Sequence, residues 1–180
     1  MFLRRRRASV SDINLIVSFL PYRDYKDIAI EDLRYALGRL IIIAVKKNVI
    51  FAKADYNDPL ELKAILEDKL PEDSPVLRAI PVLRVVSGEV REIRSAVHEL
   101  LERMPGGTFA IRLESRVWKN NVEIPRLEAI KEIAEGINRE VNLSNPDIIV
   151  LVKPFRLREG AFAAIYVGPP DGVYSAVKRR

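Results

Sequence analysis

The chain has 180 residues, a formal net charge of +5, one histidine and no cysteine. Without cysteine there are no disulfides, thiolate zinc sites, iron–sulfur clusters or cysteine nucleophiles, and the lone His98 cannot build a histidine metal cluster. With 48% apolar and 31% charged residues, the composition is that of a soluble globular protein, long enough to bury roughly 70% of its unfolded surface.

Glutamine is absent, and Arg, Glu, Ile and Val are frequent, a bias that leans towards a thermophile. Residues 4–7, all arginine, followed by the apolar run 13–20 imitate a secretory leader. Asp12 and Asn14 interrupt the start of that run, however, and no small-residue cleavage site follows. No stretch approaches the ~20 apolar residues of a membrane helix. The expectation is a cytoplasmic chain with no membrane association.

In chain order, residues 13–20 predict a buried strand closed by Pro21. A helix is predicted over 27–37, with Asp27 as its cap and Gly38 just past its end. Residues 40–45 and 49–54 read as two strands of a hairpin joined by Lys46-Lys47-Asn48. Asp58-Pro59-Leu60-Glu61 is a helix start: a capping side chain, proline in the first turn and Glu three residues on. That helix should run to Leu70, and one strand, bent at Pro81, should span 76–86. Strand, helix, strand, strand, helix, strand is the ferredoxin-like order. The first domain is therefore predicted over residues 1–86.

Ser87 opens a third helix, with Val90, Ile93, Val97 and Leu100 along one face, stopped by Pro105-Gly106-Gly107. A strand over 108–113 leads to a helix over 125–138 whose buried stripe is Leu127, Ile130, Ile133, Ala134 and Ile137. Residues 148–152 form a continuous aliphatic run suited to a strand covered on both faces. A last strand over 161–167 returns through Arg158-Glu159-Gly160. Residues 87–180 are thus predicted to form a second, α/β domain, and the whole chain to be an α+β protein.

Four pieces of this second domain carry a resemblance. Gly107-Thr108-Phe109-Ala110-Ile111-Arg112-Leu113-Glu114-Ser115-Arg116 resembles the strand that opens the core of THUMP domains. Val141-Asn142-Leu143-Ser144-Asn145-Pro146-Asp147 looks like that family's hydrophobic-x-Leu-x-Asn-Pro-Asp entry into the next strand. Gly160-Ala161-Phe162-Ala163-Ala164-Ile165-Tyr166-Val167-Gly168 matches its closing strand. The tail through Tyr174-Ser175-Ala176-Val177-Lys178 is similar to the endings of archaeal members. The resemblance covers residues 88–180 and implies an RNA-binding module of the kind commonly preceded by a ferredoxin-like domain.

Most THUMP proteins also carry a catalytic domain. This sequence has no Gly-x-Gly turn between strand and helix, no phosphate loop and no zinc ligand set. The resemblance therefore points to the stand-alone branch, whose eukaryotic members assist the cytidine acetyltransferase that makes N4-acetylcytidine in tRNA. It implies a non-catalytic adaptor, without cofactor or metal, that binds the acceptor stem and 3′-CCA end and presents tRNA to a separate modifying enzyme. The competing expectation is a protein–protein scaffold whose RNA contact is incidental, marked by an exposed apolar patch on the first domain.

An RNA surface needs cations along the phosphate path and planar groups on which unstacked bases lie. Arg112, Arg116, Trp118, Lys119, Asn120 and Asn121 fall on or just beyond the opening strand of the second domain. Guanidinium groups pair bidentately with phosphate, and asparagine reads base edges or 2′-hydroxyls. The plain alternative is a polar loop with Trp118 folded onto the core. Lys153, Arg156 and Arg158 flank Phe155 on the link between the last two strands, where a merely solvated hairpin is the competing reading. Lys178 lies in the basic C-terminal tail, and basic tails add affinity without selectivity. His98 reads as a surface histidine, Glu99 and Glu102 as helix-surface charges, and Tyr22 and Tyr25 as packing residues.

Overall fold

Alternation of apolar side chains in Leu-Ile-Val-Ser-Phe makes β1 (Leu15–Phe19), which sends Leu15, Val17 and Phe19 into one core. The computed structural model describes residues 8–176, which fall into two units, 8–81 with 173–176, and 82–172. The boundary expected after residue 86 therefore lies after Pro81. The chain end expected in the second domain contributes residues 173–176 to the first.

In the first unit β1 is followed by α1 (Tyr25–Leu37), β2 (Leu40–Lys46), β3 (Val49–Ala54), α2 (Pro59–Lys69) and β4 (Val76–Pro81). These strands lie in the order β4-β1-β3-β2, all antiparallel, the expected ferredoxin-like sheet. Ala29, Leu33 and Ala36 of α1 and Leu62 and Leu66 of α2 share one buried cluster with β1, so both helices cover the same sheet face. At the start of α2 the Asp58 side chain accepts from Leu60 N at 3.0 Å, with Pro59 in the first turn. At α1 the expected cap differs. Asp24, with φ of 68°, occupies the cap position, and Asp27 sits inside the first turn, where a carboxylate complements the helix dipole.

Pro81 ends a ladder rather than bending a strand. It is the last residue of β4 paired with β1, and the chain then passes into β5 (Arg84–Ser87), a strand of a different sheet.

The second unit continues with α3 (Val90–Glu102), β6 (Phe109–Leu113), β7 (Val117–Lys119), β8 (Val122–Ile124), α4 (Arg126–Ala134), β9 (Ile148–Leu157) and β10 (Gly160–Gly168). Its main sheet has the order β5-β10-β9-β6, with β6 parallel to β9 and the other pairs antiparallel. β7 and β8 form a separate hairpin. Val90, Ile93, Val97 and Leu100 enter the core as their spacing predicts, beside Ile111, Leu113, Val150, Val152 and Ile165. Each such aliphatic side chain contributes about 1.5–3 kcal/mol on burial.

α4 is shorter than expected, and Leu127, placed in its buried stripe, is 72% exposed. The rest of the expected stripe holds, with Ile133 buried and Ile130, Ala134 and Ile137 packed against the core, and Ala129 joins it. The chain leaves the helix at Glu135 and turns at Gly136, whose φ of 85° is open to glycine at no steric cost. The last turn is tied to α3: Arg94 donates to Glu135 O at 3.0 Å, and His98 Nε2 lies 2.9 Å from Ile133 O. His98 is therefore half-buried against α4, not a free surface histidine. The chain closes with β11 (Tyr174–Ser175), which pairs with β4 in the first unit. Among the described residues no helix is long and apolar enough to cross a membrane.

Candidate nucleic-acid interface

The segment read as a loop carrying Arg116, Trp118, Lys119 and Asn121 is the β7–β8 hairpin. Its two-residue turn is Asn120-Asn121, with φ of 52° and 65°. Positive φ at both positions matches the right-handed twist of the strands, and asparagine tolerates it better than most residues. Glu89, just before α3, fastens the turn: its carboxylate accepts from Asn120 N at 2.9 Å and from Asn121 N at 3.0 Å. Asn121 thus has a structural duty that its sequence reading as a base reader did not contain.

Strand alternation sorts the hairpin side chains. Val117 is buried and Ile124 packs against the second unit's core, which places Lys119 on that same side. There its ammonium pairs with Glu132 of α4 at 3.2 Å. Arg116, Trp118 and Glu123 occupy the opposite side. Trp118 is half-buried, with Arg156 Cζ 5.4 Å from its ring centre, within cation–π range. The ring edge rests on Gly88, where an added Cβ would lie 3.2 Å from Trp118 Cε3 and 3.3 Å from Ala161 Cβ. Arg116 is 73% exposed and meets Glu123 at 3.4 Å.

The second basic group lies on strand rather than in a loop. β9 runs through Pro154 to Leu157, so Lys153 and Arg156 are strand residues and the turn is Arg158-Glu159. β9 pairs with β6 only as far as Val152. Beyond it that edge has no strand neighbour among the described residues, and a proline costs no ladder bond. Arg156 and Arg158 are exposed. Lys153 has the opposite strand parity to Arg156 and pairs with Glu114 at 3.5 Å.

Arg112 is exposed on β6 and donates to Leu143 O at 2.7 Å. This bond ties β6 to the segment carrying the Asn-Pro-Asp sequence, whose own residues are fastened in turn. Asp147 accepts from Thr108 N at 2.9 Å, and Asn142 Oδ1 accepts from Asn145 N at 3.0 Å. The motif residues thus hold the entry to β9.

The expected site residues therefore divide. Arg116, Trp118 and Arg156 come together, with Asn121 at the tip of the same hairpin and Arg158 in the turn that follows β9. Arg112, Lys119 and Lys153 have separate partners, and Lys178 lies outside the described residues. Glu89 and Glu123, missed in the sequence, organise the hairpin. The Asn-Asn pair between short apolar segments was the available signal for it. Among the described residues no group of three or more His, Cys, Asp or Glu side chains could hold a metal ion.

No family model matches the chain, and no curated protein matches its sequence. Solved structures do. PH1313 from Pyrococcus horikoshii Ot3 matches with a TM-score of 0.61 at 16% identity, over 87% of this chain and 55% of that one. A 4-thiouridine synthetase in complex with RNA and bound ATP matches with a TM-score of 0.52 at 16% identity, over 87% of this chain and 42% of its own. The chain spans about half the length of these proteins. At such identity the likeness establishes the fold, an α+β chain with a ferredoxin-like unit followed by a THUMP-like unit.

Proposed function

We propose that the chain is a non-catalytic tRNA-binding adaptor of the cytoplasm, which grips the acceptor stem and 3′-CCA end and presents tRNA to a separate modifying enzyme. The observation that carries this reading is the meeting of Arg116, Trp118 and Arg156 on one side of a braced hairpin. Cations for phosphate and an aromatic ring for a base are what single-stranded RNA requires. The match to a 4-thiouridine synthetase bound to RNA supports it through the shared fold. The adaptor's contribution would be geometric: clamping one end of the tRNA raises the effective concentration of a distant nucleotide at the partner's active site. By resemblance to the stand-alone THUMP branch, the partner of this reading is a cytidine acetyltransferase.

The test is binding to full-length tRNA, to the same tRNA lacking its 3′-CCA, and to duplex DNA, over a salt series. Contacts to about four to six phosphates give a log–log slope near −3 to −5. Tight binding that weakens on trimming, and again in the double variant Arg116→Ala with Arg156→Ala, supports an acceptor-end reader. Equal, weak binding to all three defeats it.

One observation favours the scaffold reading. Ile28 and Tyr35 lie seven residues apart on the same side of α1 and are 42% and 74% exposed, with Tyr22 exposed just before the helix. Under that reading Ile28→Asp with Tyr35→Asp abolishes capture of the enzyme partner and leaves tRNA binding unchanged.

A further inference from the structure

Resting on the RNA-binding reading, the outward side of the β7–β8 hairpin points to a narrower ligand. We infer that Trp118 and Arg156 form a stacking subsite for one unpaired RNA base, with Arg116 as the phosphate ligand beside it. Trp118 is the chain's single tryptophan. Its position is set from three directions. Val117 and Ile124 anchor the other side of the hairpin in the core. Glu89 holds both N–H groups of the Asn120-Asn121 turn. Gly88 admits the ring edge where any side chain would crowd it. A planar ring held in this way loses little freedom on stacking a base.

Arg156 extends the platform. Its guanidinium stands 5.4 Å from the Trp118 ring centre, and both groups present flat π surfaces of the kind on which bases lie. Arg116 shares the Trp118 side of the hairpin and is held at 3.4 Å by one exposed carboxylate, Glu123. A phosphate can displace such a partner, because an exposed ion pair contributes little to stability. A-form duplex RNA keeps its base faces stacked inside the helix. The ligand with a free base face next to a phosphate is single-stranded.

The experiment uses the full chain and reads the fluorescence of Trp118, which reports on no other site. The probes are a four-nucleotide single-stranded RNA, the same RNA with abasic sugars and equal phosphate count, a duplex RNA, and full-length tRNA. Anisotropy of the labelled RNAs measures binding independently. The tetranucleotide should quench Trp118, and the abasic and duplex RNAs should not. Trp118→Ala should weaken tetranucleotide binding by about 5- to 150-fold, the equivalent of ~1–3 kcal/mol for one stacked base, without altering the salt slope. Trp118→Phe, which keeps a ring, should recover most of that loss. Arg116→Ala should lower affinity and reduce the slope by about 0.7. If tRNA and the tetranucleotide bind while Trp118 emission stays unmoved, or if Trp118→Ala binds as the parent does, the subsite is wrong and the RNA-binding reading stands. If none of the four RNAs binds, both fall together.

Discussion

Several charged side chains act through well-defined partners, and these set their individual effects. Glu99 lies between Arg84, at 2.6 Å, and Arg103, at 3.1 Å. The hydrogen bond from Arg84, then its charge, then that of Arg103 hold the Glu99 carboxyl below its ordinary value of 4.5. Because the folded state favours the ionised form, the unfolded chain binds more protons as pH falls, and stability rises with pH through this window. The contribution is fully present above 4.5 and is lost as pH falls through the lowered folded value. Glu99→Gln should therefore lower Tm slightly near neutrality, with the difference from the parent narrowing below pH 4.5. A difference that stays constant down to acid pH would contradict the assignment. The effect is small because half of the Glu99 side chain is exposed.

Glu89 makes a different kind of contribution, since its partners are backbone N–H groups of a turn that must stay at positive φ. Glu89→Ala removes two charge-assisted bonds at an exposed site. It should cost about 1 kcal/mol, a Tm loss of about 2–4 °C for a chain of this size. Amide exchange at Asn120 and Asn121 should accelerate more than exchange elsewhere in the second unit. Unchanged protection at those two amides would show that the turn stands without its carboxylate.

At the scale of elements, the sequence was most readable where a local rule coincided with a tertiary need. Asp58-Pro59 starts α2, the Val90, Ile93, Val97, Leu100 stripe is buried, and the ferredoxin-like order follows from the first six elements. It misled where a side chain admitted two local readings. Asn120 and Asn121 were read for their side chains alone, whereas their backbone forms the hairpin turn; Leu127 fitted a helical stripe whose other members, Ile130, Ile133, Ala134 and Ile137, do pack on the core, but is itself exposed. The strand read over 148–152 runs on through Pro154 to Leu157, where, among the described residues, no strand pairs with its β6-side edge beyond Val152 and the proline is harmless. Of the site, the residue types of the Arg116–Trp118–Arg156 group were legible, but their meeting was not. It depends on the hairpin bringing Trp118 to Gly88 and on Arg156 pairing with Ala161 across β9 and β10. The pairing of Lys119 with Glu132 and of Lys153 with Glu114 likewise awaits the fold.

A left-handed backbone also occurs in the β2–β3 turn. Lys47 has a φ of 54°, a left-handed conformation that costs a side-chain-bearing residue roughly 1–2 kcal/mol. Its neighbour Asn48 fixes the turn, donating from Nδ2 to Phe19 O at 3.0 Å and accepting from Phe19 N at 3.0 Å. Lys47→Gly relieves the strain but adds unfolded-state entropy of about 0.5–1 kcal/mol. The net expectation is a stabilisation of about 0.5–1 kcal/mol, read as a rise in Tm of about 1–4 °C. Lys47→Val should move Tm the other way, since a β-branched residue fits this region worst. If both variants melted alike, backbone strain at Lys47 would not be the governing term.

For the whole molecule, the connectivity matters more than any single contact. The chain leaves the first unit after Pro81, builds the second, and comes back at Val173 to add β11 beside β4. Stability of the first unit therefore depends on residues that follow the whole of the second unit in sequence. Tyr174 is 3% exposed and belongs to the same cluster as Leu15, Leu62 and Val76, while Ala79 and Arg78 of β4 pair with Tyr174 and Ser175. Truncating a buried aromatic costs about 3–5 kcal/mol. Tyr174→Ala should accordingly destabilise the first unit strongly and leave the second unit largely as it was. The second unit carries its own closing device: Tyr166 is buried, donates to Pro169 O at 2.7 Å, and is enclosed by Gly168 and Gly172, where a Cβ would overlap its hydroxyl. Hydrogen exchange resolves the two. In Tyr174→Ala, amides of β1, β3 and β4 should lose protection while those of β9 and β10 keep it; in Gly172→Ala the pattern should reverse. Uniform loss across both units in either variant would mean that they unfold as one cooperative body, and that the return of β11 couples them rather than merely completing the first sheet.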